Sequence, residues 1–436
     1  MRQHSNHLKV LHVALLSYFL VAAGCRSEKV TPGPLVEPER PSVQAADDPE
    51  AIAKLEEAGF RLTKNDAGLV TQVSVDRTED ASELLPLLAG LPNLQTLTLS
   101  GAGIVDQGFS GIESLSQLQR LDLGGSGITD KALESVGKLD GLQVLSLQQT
   151  SVLDAGMEQL TGMKKLRALD LRRTNITDQG LTAIGQLSAL SDLQLERAKV
   201  SASGLAELKQ LKKLKSLNLN TTPIGDPELA VLGQIPSLES LQLDSASITD
   251  AGMDDVAKLK NLKRLRIRYC DITGEGFKKI QGLSQLERLE LRDTSVDDQA
   301  LEIISQFPKV TFLELNECRL ISNAGIAKLE KLTGLTTLGL WETKLDDTGL
   351  AALAGLTKLT HLNLEATNIS NKSAETLLNF KDLQELNISG TRLDDEAAEL
   401  LKDLPNLKKI EVRNSGIGYA GVDALLEAHE GLNVVE

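Results

Sequence analysis

One 24-residue phrase repeats almost unbroken through this chain and leaves few folds open to it. At Leu142 the sequence reads Leu-Gln-Val-Leu-Ser-Leu-Gln-Gln-Thr-Ser-Val-Leu-Asp-Ala-Gly-Met, and at Leu166 it reads Leu-Arg-Ala-Leu-Asp-Leu-Arg-Arg-Thr-Asn-Ile-Thr-Asp-Gln-Gly-Leu. The spacing LxxLxLxxTxIxDxGL starts at Val70, Leu94, Leu118, Leu142, Leu166, Leu190, Leu214, Leu238, Leu262, Leu286, Val310, Leu335, Leu359, Leu383, Leu407 and Leu432. The step is 24 residues, except 25 after Val310 and after Leu407. A fixed period in this range is the mark of a solenoid.

Each part of the phrase has a physical meaning. Leu145 and Leu147 alternate with period two, so they predict a short strand with its leucines on one face. Met157, Leu160 and Met163 recur at helical spacing and predict a short helix or 3₁₀ turn with one buried stripe. The Asp just before them (Asp130, Asp154, Asp178, Asp250, Asp298, Asp347) is expected at the N-cap, accepting an orphan backbone N–H. Glycine at the helix start (Gly156, Gly180, Gly204, Gly252, Gly276, Gly349) removes bulk there. No single coil can bury its own leucines. Coils must therefore stack, placing the strands in one parallel sheet along the inside of an arc.

The phrase resembles leucine-rich repeats, of the 24-residue subtype found in many bacterial proteins and in eukaryotic F-box ubiquitin-ligase receptors. The resemblance covers residues 70–436 in about fifteen strong copies. It implies an α/β right-handed horseshoe with the parallel sheet on the concave face and short helices outside. It says little about function, since one fold hosts many activities.

Charge narrows the partners. The chain carries 61 acidic against 46 basic residues, a net charge of −15. An acidic surface disfavours nonspecific nucleic-acid binding, which needs cations to displace counterions. Residues 1–24 carry Arg2 and Lys9 and no acid, so their removal would take the charge to −17. Within them the apolar run Val10–Ala23 is short for a bilayer span and reads as a secretory signal core. It ends Val21-Ala22-Ala23-Gly24-Cys25, which resembles the bacterial lipobox with Ala22 in place of the usual Leu. That resemblance implies that Cys25 is a lipid anchor in the bacterial cell envelope. Ordinary signal cleavage and an uncleaved N-terminal anchor are the alternatives. Arg26 rather than Asp follows the Cys, which in two-membrane bacteria favours the outer membrane.

Residues 25–46 hold Pro32, Pro34, Pro38 and Pro41 and form a Pro-rich tether. Residues 47–69 predict an N-terminal cap. Asp47-Asp48-Pro49-Glu50 opens a helix that Gly59 stops, and Phe60–Lys64 with Leu69–Val75 forms a hairpin over the first coil. At the far end Val422, Leu425 and Leu426 and a truncated strand at 432–435 make a thinner cap.

Catalytic constellations are not found. Beyond the signal segment only His361 and His429 remain among the histidines. There is no HExxH, CxxC pair, GxSxG or Walker loop. Gly416–Gly421 matches GxGxxG, but Gly421 is the recurring helix-start glycine. No metal or cofactor site is expected. Cys270 and Cys318 share the ninth repeat position, two coils and about 10 Å apart, too far for a disulfide. Both are expected as buried thiols.

The residues that point out of the inner sheet carry the remaining signal. Most rows are small and polar, such as Thr96/Thr98/Ser100. Two neighbours differ: Arg264/Arg266/Arg268 and Arg288/Glu290/Arg292. Beyond them stand Phe312/Glu314/Asn316, Thr337/Gly339/Trp341 and His361/Asn363/Glu365. Strand spacing places Arg264, Arg268, Arg288 and Arg292 in a tight square with Arg266 beside Glu290. Two readings stand. One is a site for an acidic protein or an anionic polymer, with Phe312, Trp341 and His361 at its edge. The other is a cross-strand ladder of ion pairs, Asp244–Arg268 and Arg266–Glu290, on a solvated face. On the first, reversing charge at Arg264 and Arg288 is expected to abolish partner capture without altering melting. The whole chain then reads as a non-enzymatic, exported, membrane-anchored recognition scaffold. The alternative is an intracellular adaptor similar to F-box receptors.

Overall fold

In every coil the leucines of the strand and the apolar residues of the following helix point at one another. In the coil from Leu142, a computed structural model places Leu142, Leu145, Leu147, Val152, Met157, Leu160 and Met163 in the core. The structure describes residues 45–436, one compact unit. The signal segment 1–24, Cys25 and nearly all of the tether lie outside them.

The strand of that coil is Val144–Ser146 and its helix Asp154–Glu158. Leu145 pairs in parallel register with Leu169 of the next coil, and Leu289 with Leu313 farther along. Seventeen strands form one sheet among the described residues. The sheet lines the concave face and the short helices lie outside. Leucine side chains fill the space between, in one core from Leu55 to Leu432.

After the strands from Thr96–Ser100 to Lys409–Glu411 the chain turns through a left-handed residue, which is rarely glycine: Gln149, Arg173 and Tyr269 have φ of 54°, 57° and 58°. That conformation costs on the order of 1 kcal/mol for a residue with a Cβ. It lets the backbone N–H of Gln149 reach the Arg172 carbonyl of the next coil at 2.9 Å. Intercoil hydrogen bonding thus continues past the strand.

The helix-start aspartates act differently from the sequence expectation. The N-caps are the residues before them, such as Thr129 and Thr177, whose hydroxyls accept from Lys131 and Gln179 N–H. The aspartate itself reaches to the next coil. Asp154 Oδ1 accepts the Thr177 backbone N–H at 2.8 Å, and its Oδ2 the Thr177 hydroxyl at 2.5 Å. Asp178 does the same to Ser201, Asp226 and Asp250 to Thr249 and Thr273, and Asp347 to Ser370. The helix-start glycine makes room for that carboxylate. A Cβ on Gly180 would lie 2.5 Å from Asp154 Oδ1. At Ala202 and Gly274, which have no side-chain oxygen, the glycine position of the next coil holds Glu228 and Ala300, whereas Asn323, whose Oδ1 takes the carboxylate's place, is still followed by Gly349, and Ser82 by Gly108.

Pro49–Glu57 forms a helix capped by Asp48, and Arg61–Lys64 pairs antiparallel with Val70–Asp76. Leu55 and Phe60 close over Val70 and Val73. At the other end helix Tyr419–Ala428 leaves Tyr419 84% exposed, and the last strand is Asn433–Val435. Lys409 pairs with Asn433, so the step of 25 expected after Leu407 is 24 in the strands. The step after Val310 is a true 25, with Phe312 opposite Thr337. Its extra residue is absorbed between Cys318 and Ile321, where Arg319 and Leu320 replace the usual single residue.

Candidate functional site

The arginine rows lie on strands Arg264–Arg266 and Arg288–Glu290, directly paired, with Arg264 opposite Arg288 and Arg266 opposite Glu290. Alternation turns Leu265 and Leu289 inward and the charged side chains into the hollow of the arc.

Glu290 organises the cluster. It is only 1% exposed. Arg288 Nε lies 2.6 Å and Arg264 Nη2 2.7 Å from its Oε1, and Arg268 Nη2 lies 2.7 Å from its Oε2. Arg266 is farther, at 3.7 Å. Burial pushes this carboxyl up. The Arg288 hydrogen bond and the charges of Arg264, Arg288 and Arg268 outweigh that, and the net shift is downward.

The ion pairs differ in detail from the ladder read from the sequence. Asp244 takes the Arg266 side chain, with Nε donating at 2.5 Å, and accepts only the backbone N–H of Arg268. The Arg268 guanidinium turns to Glu290 and Glu314. Arg292 leaves the square. It donates to Glu317 at 2.7 Å and stacks over Trp341 at 4.5 Å, with the Tyr269 ring at 5.6 Å. Tyr269 was not singled out from the sequence, since it sits at the left-handed position just past the strand face. The like-charge pair Arg264/Arg288 is held by their shared carboxylate oxygen. Reversing both charges would put two acids against a buried one. Melting would not stay unaltered, as first expected, and milder changes are needed there.

Arg288 also lies flat on Phe312, its guanidinium carbon 3.4 Å from the ring centroid. On the far side of that ring the concave surface opens into a hollow of about 220 Å³. Gly339 forms its floor, with Glu314, His361, Asn363, Glu385 and Lys409 around it. His361 Nδ1 is 2.9 Å from the Thr360 hydroxyl, and its Nε2 is 3.6 Å from Glu385. Arginines, Phe312, Trp341 and His361 thus form a continuous strip, while Cys25 lies outside the described residues.

The two thiols are buried and free. Cys270 Sγ donates to the Leu243 carbonyl at 3.3 Å, and Cys318 Sγ to that of Leu291 at 3.1 Å. Threonines at the same position turn back instead to their own coil, as Thr150 does to Leu147. Burial pushes the thiols up to about 12 and about 11, which keeps them protonated at neutral pH. Among the described residues no group of three or more His, Cys, Asp or Glu is placed to hold a metal ion. The GxGxxG stretch is a coil junction, with Gly418 and Gly421 N–H both donating to Asp395. Among the described residues no helix is long and apolar enough to cross a membrane.

These features define an open solenoid with a polar, aromatic-edged concave strip. The family profile described as leucine-rich repeat region matches residues 73–325, and a second, leucine rich repeat, matches 333–393. The chain belongs to the leucine-rich repeat family, whose domains commonly serve as protein-binding scaffolds. No curated protein matches it. Among solved structures it is similar to a leucine-rich repeat protein of Leptospira interrogans, 20% identical, TM-score 0.53, covering 80% of this chain and 92% of that one. It is also similar to an internalin, InlF, of Listeria monocytogenes, 20% identical, TM-score 0.49, covering 88% and 94%.

Proposed function

We propose that this chain is a non-enzymatic recognition scaffold, exported and held in the bacterial cell envelope by a lipid on Cys25, that binds a protein on its concave face. The strip formed by Arg264, Arg288, Phe312, Trp341 and His361 touches the partner. Arg266, Arg268, Glu290 and Arg292 hold that strip rigid. The observation that carries the reading is Arg288 stacked on Phe312 beside the hollow over Gly339. Arginine and aromatic side chains fixed in advance lose little entropy on binding, and they are the residue types that dominate interfaces. Because Glu290 neutralises part of the arginine charge, an acidic partner is met by the outer guanidinium faces of Arg264 and Arg288 and not by the centre of the square.

Photo-crosslinking tests this. A crosslinking residue is placed at His361, and in a second full-length chain at Lys131 on the outer helices. The expected result is an adduct of defined mass from position 361, reduced by Arg264→Gln/Arg288→Gln, and none from position 131. Adducts from position 131 alone, or from neither, would overturn the concave-face reading.

A further inference from the structure

A second charged feature lies on the edge of the sheet where the strands begin. Lys164, Lys165 and Arg167 precede strand Ala168–Asp170, and Lys212, Lys213 and Lys215 precede strand Ser216–Asn218. The coil between them presents Ser188, Ala189 and Ser191 at the same places. Two cationic walls therefore stand two strand spacings, about 10 Å, apart over a floor of small side chains. The trough between them holds about 500 Å³.

All six cations are exposed. Lys215 pairs with Glu239 at 2.7 Å. Lys164 and Lys212 donate to the backbone carbonyls of Thr161 and Lys209. Lys165, Arg167 and Lys213 make no ion pair among the described residues. No carboxylate lines the trough. In a chain of net charge −15, six cations gathered with only Lys215 paired to a carboxylate are unlike the arginine cluster, which encloses its own glutamate. The nearer wall of the trough lies two strands from that cluster, but the trough opens where the strands begin and shares no lining residue with the concave strip.

We infer that this trough binds a compact group bearing two or more phosphates. Lysines on both walls act as point charges, and Arg167 offers a planar fork to phosphate oxygens. The basic run is confined, with Asp140 on the coil before it and Glu239 on the coil after. An extended nucleic acid would meet those acids, and no aromatic side chain lines the trough to stack a base. The same chemistry is offered by a soluble polyphosphate and by the headgroups of an anionic lipid surface.

The test uses the full chain and Lys165→Gln/Arg167→Gln/Lys213→Gln, three exposed residues without ion pairs. Lys213→Gln alone is a milder second variant, and melting curves check that both fold. Calorimetry with tripolyphosphate should show binding that weakens roughly tenfold or more in the triple variant and falls with added salt, as lost phosphate contacts require. Sedimentation with equimolar phosphatidylglycerol–phosphatidylcholine vesicles, against phosphatidylcholine alone, separates the sources. Retention by the anionic vesicles that tripolyphosphate displaces and the variant loses assigns a lipid headgroup. Tripolyphosphate binding without such retention assigns a soluble ligand. Equal behaviour of wild type and triple variant with both probes, no binding of either, or tighter binding of a single-stranded oligonucleotide would overturn the inference.

Discussion

Glu290 shows how a residue can be legible in sequence while its role is not. Its place on the inner face followed from the period-two alternation. That it would be enclosed by arginines from two strands did not, because side chains of this length choose partners along and across strands alike. Asp244 was read as the partner of Arg268 and instead takes the Arg266 side chain. Removing the carboxylate charge leaves the guanidinium groups facing one another. Glu290→Gln is therefore expected to destabilise by about 3–5 kcal/mol, read as a lower melting temperature and urea midpoint. The pH dependence has a definite sign. A carboxyl held below its ordinary value in the fold stabilises the protein above the unfolded value, about 4.3, and loses that contribution as pH falls through the folded value. The gap between wild type and Glu290→Gln should be wide at pH 7 and close on acidification below about pH 4. A gap independent of pH would show that the charge is not what stabilises.

At the scale of the element, strand and helix positions were legible because leucine spacing dictates them. The aspartate's role was misread because its bonds run between coils, and a spacing within one coil resembles an N-cap. The signal was nonetheless present in the array. Ala202 and Gly274 break the aspartate column, and the next coil in each case departs from glycine. The column is not strict, since Asp106 is followed by Ala132 and Asp347 by Ser373, whose hydroxyl joins the same carboxylate at 2.5 Å. The coupling can be measured at one junction. Gly180→Ala should cost about 1–3 kcal/mol through crowding against Asp154 Oδ1. In Asp154→Ala/Gly180→Ala the crowding against the carboxylate is relieved while that against Ile176 Cγ2, at 2.9 Å, remains, and the double variant should be more stable than the sum of the singles predicts by about 1 kcal/mol. Strict additivity in chemical denaturation would refute the contact.

For the whole molecule, the repeat period made the architecture legible at once, since stacked coils are the way to cover leucine faces of this spacing. The concave strip was legible only as a composition of rows. The hollow beside it is lined by Gly339, whose missing side chain leaves room for Asn316, 2.7 Å from where a Cβ would lie. The proposed tether and anchor belong to this scale, because they would decide where the scaffold is displayed. Metabolic labelling with a fatty acid should mark the intact chain and leave Cys25→Ala unmarked. Label absent from both, or present in both, would remove the proposed anchor.

The surplus residue at Arg319–Leu320 has a wider consequence. It bulges from the outer turn, and Leu313 and Leu338 still meet in register on either side of it. Each circuit thus restores its own phase before handing the chain to the next. Errors in length do not accumulate, and outer turns can gain or lose residues in descent while the inner wall remains aligned.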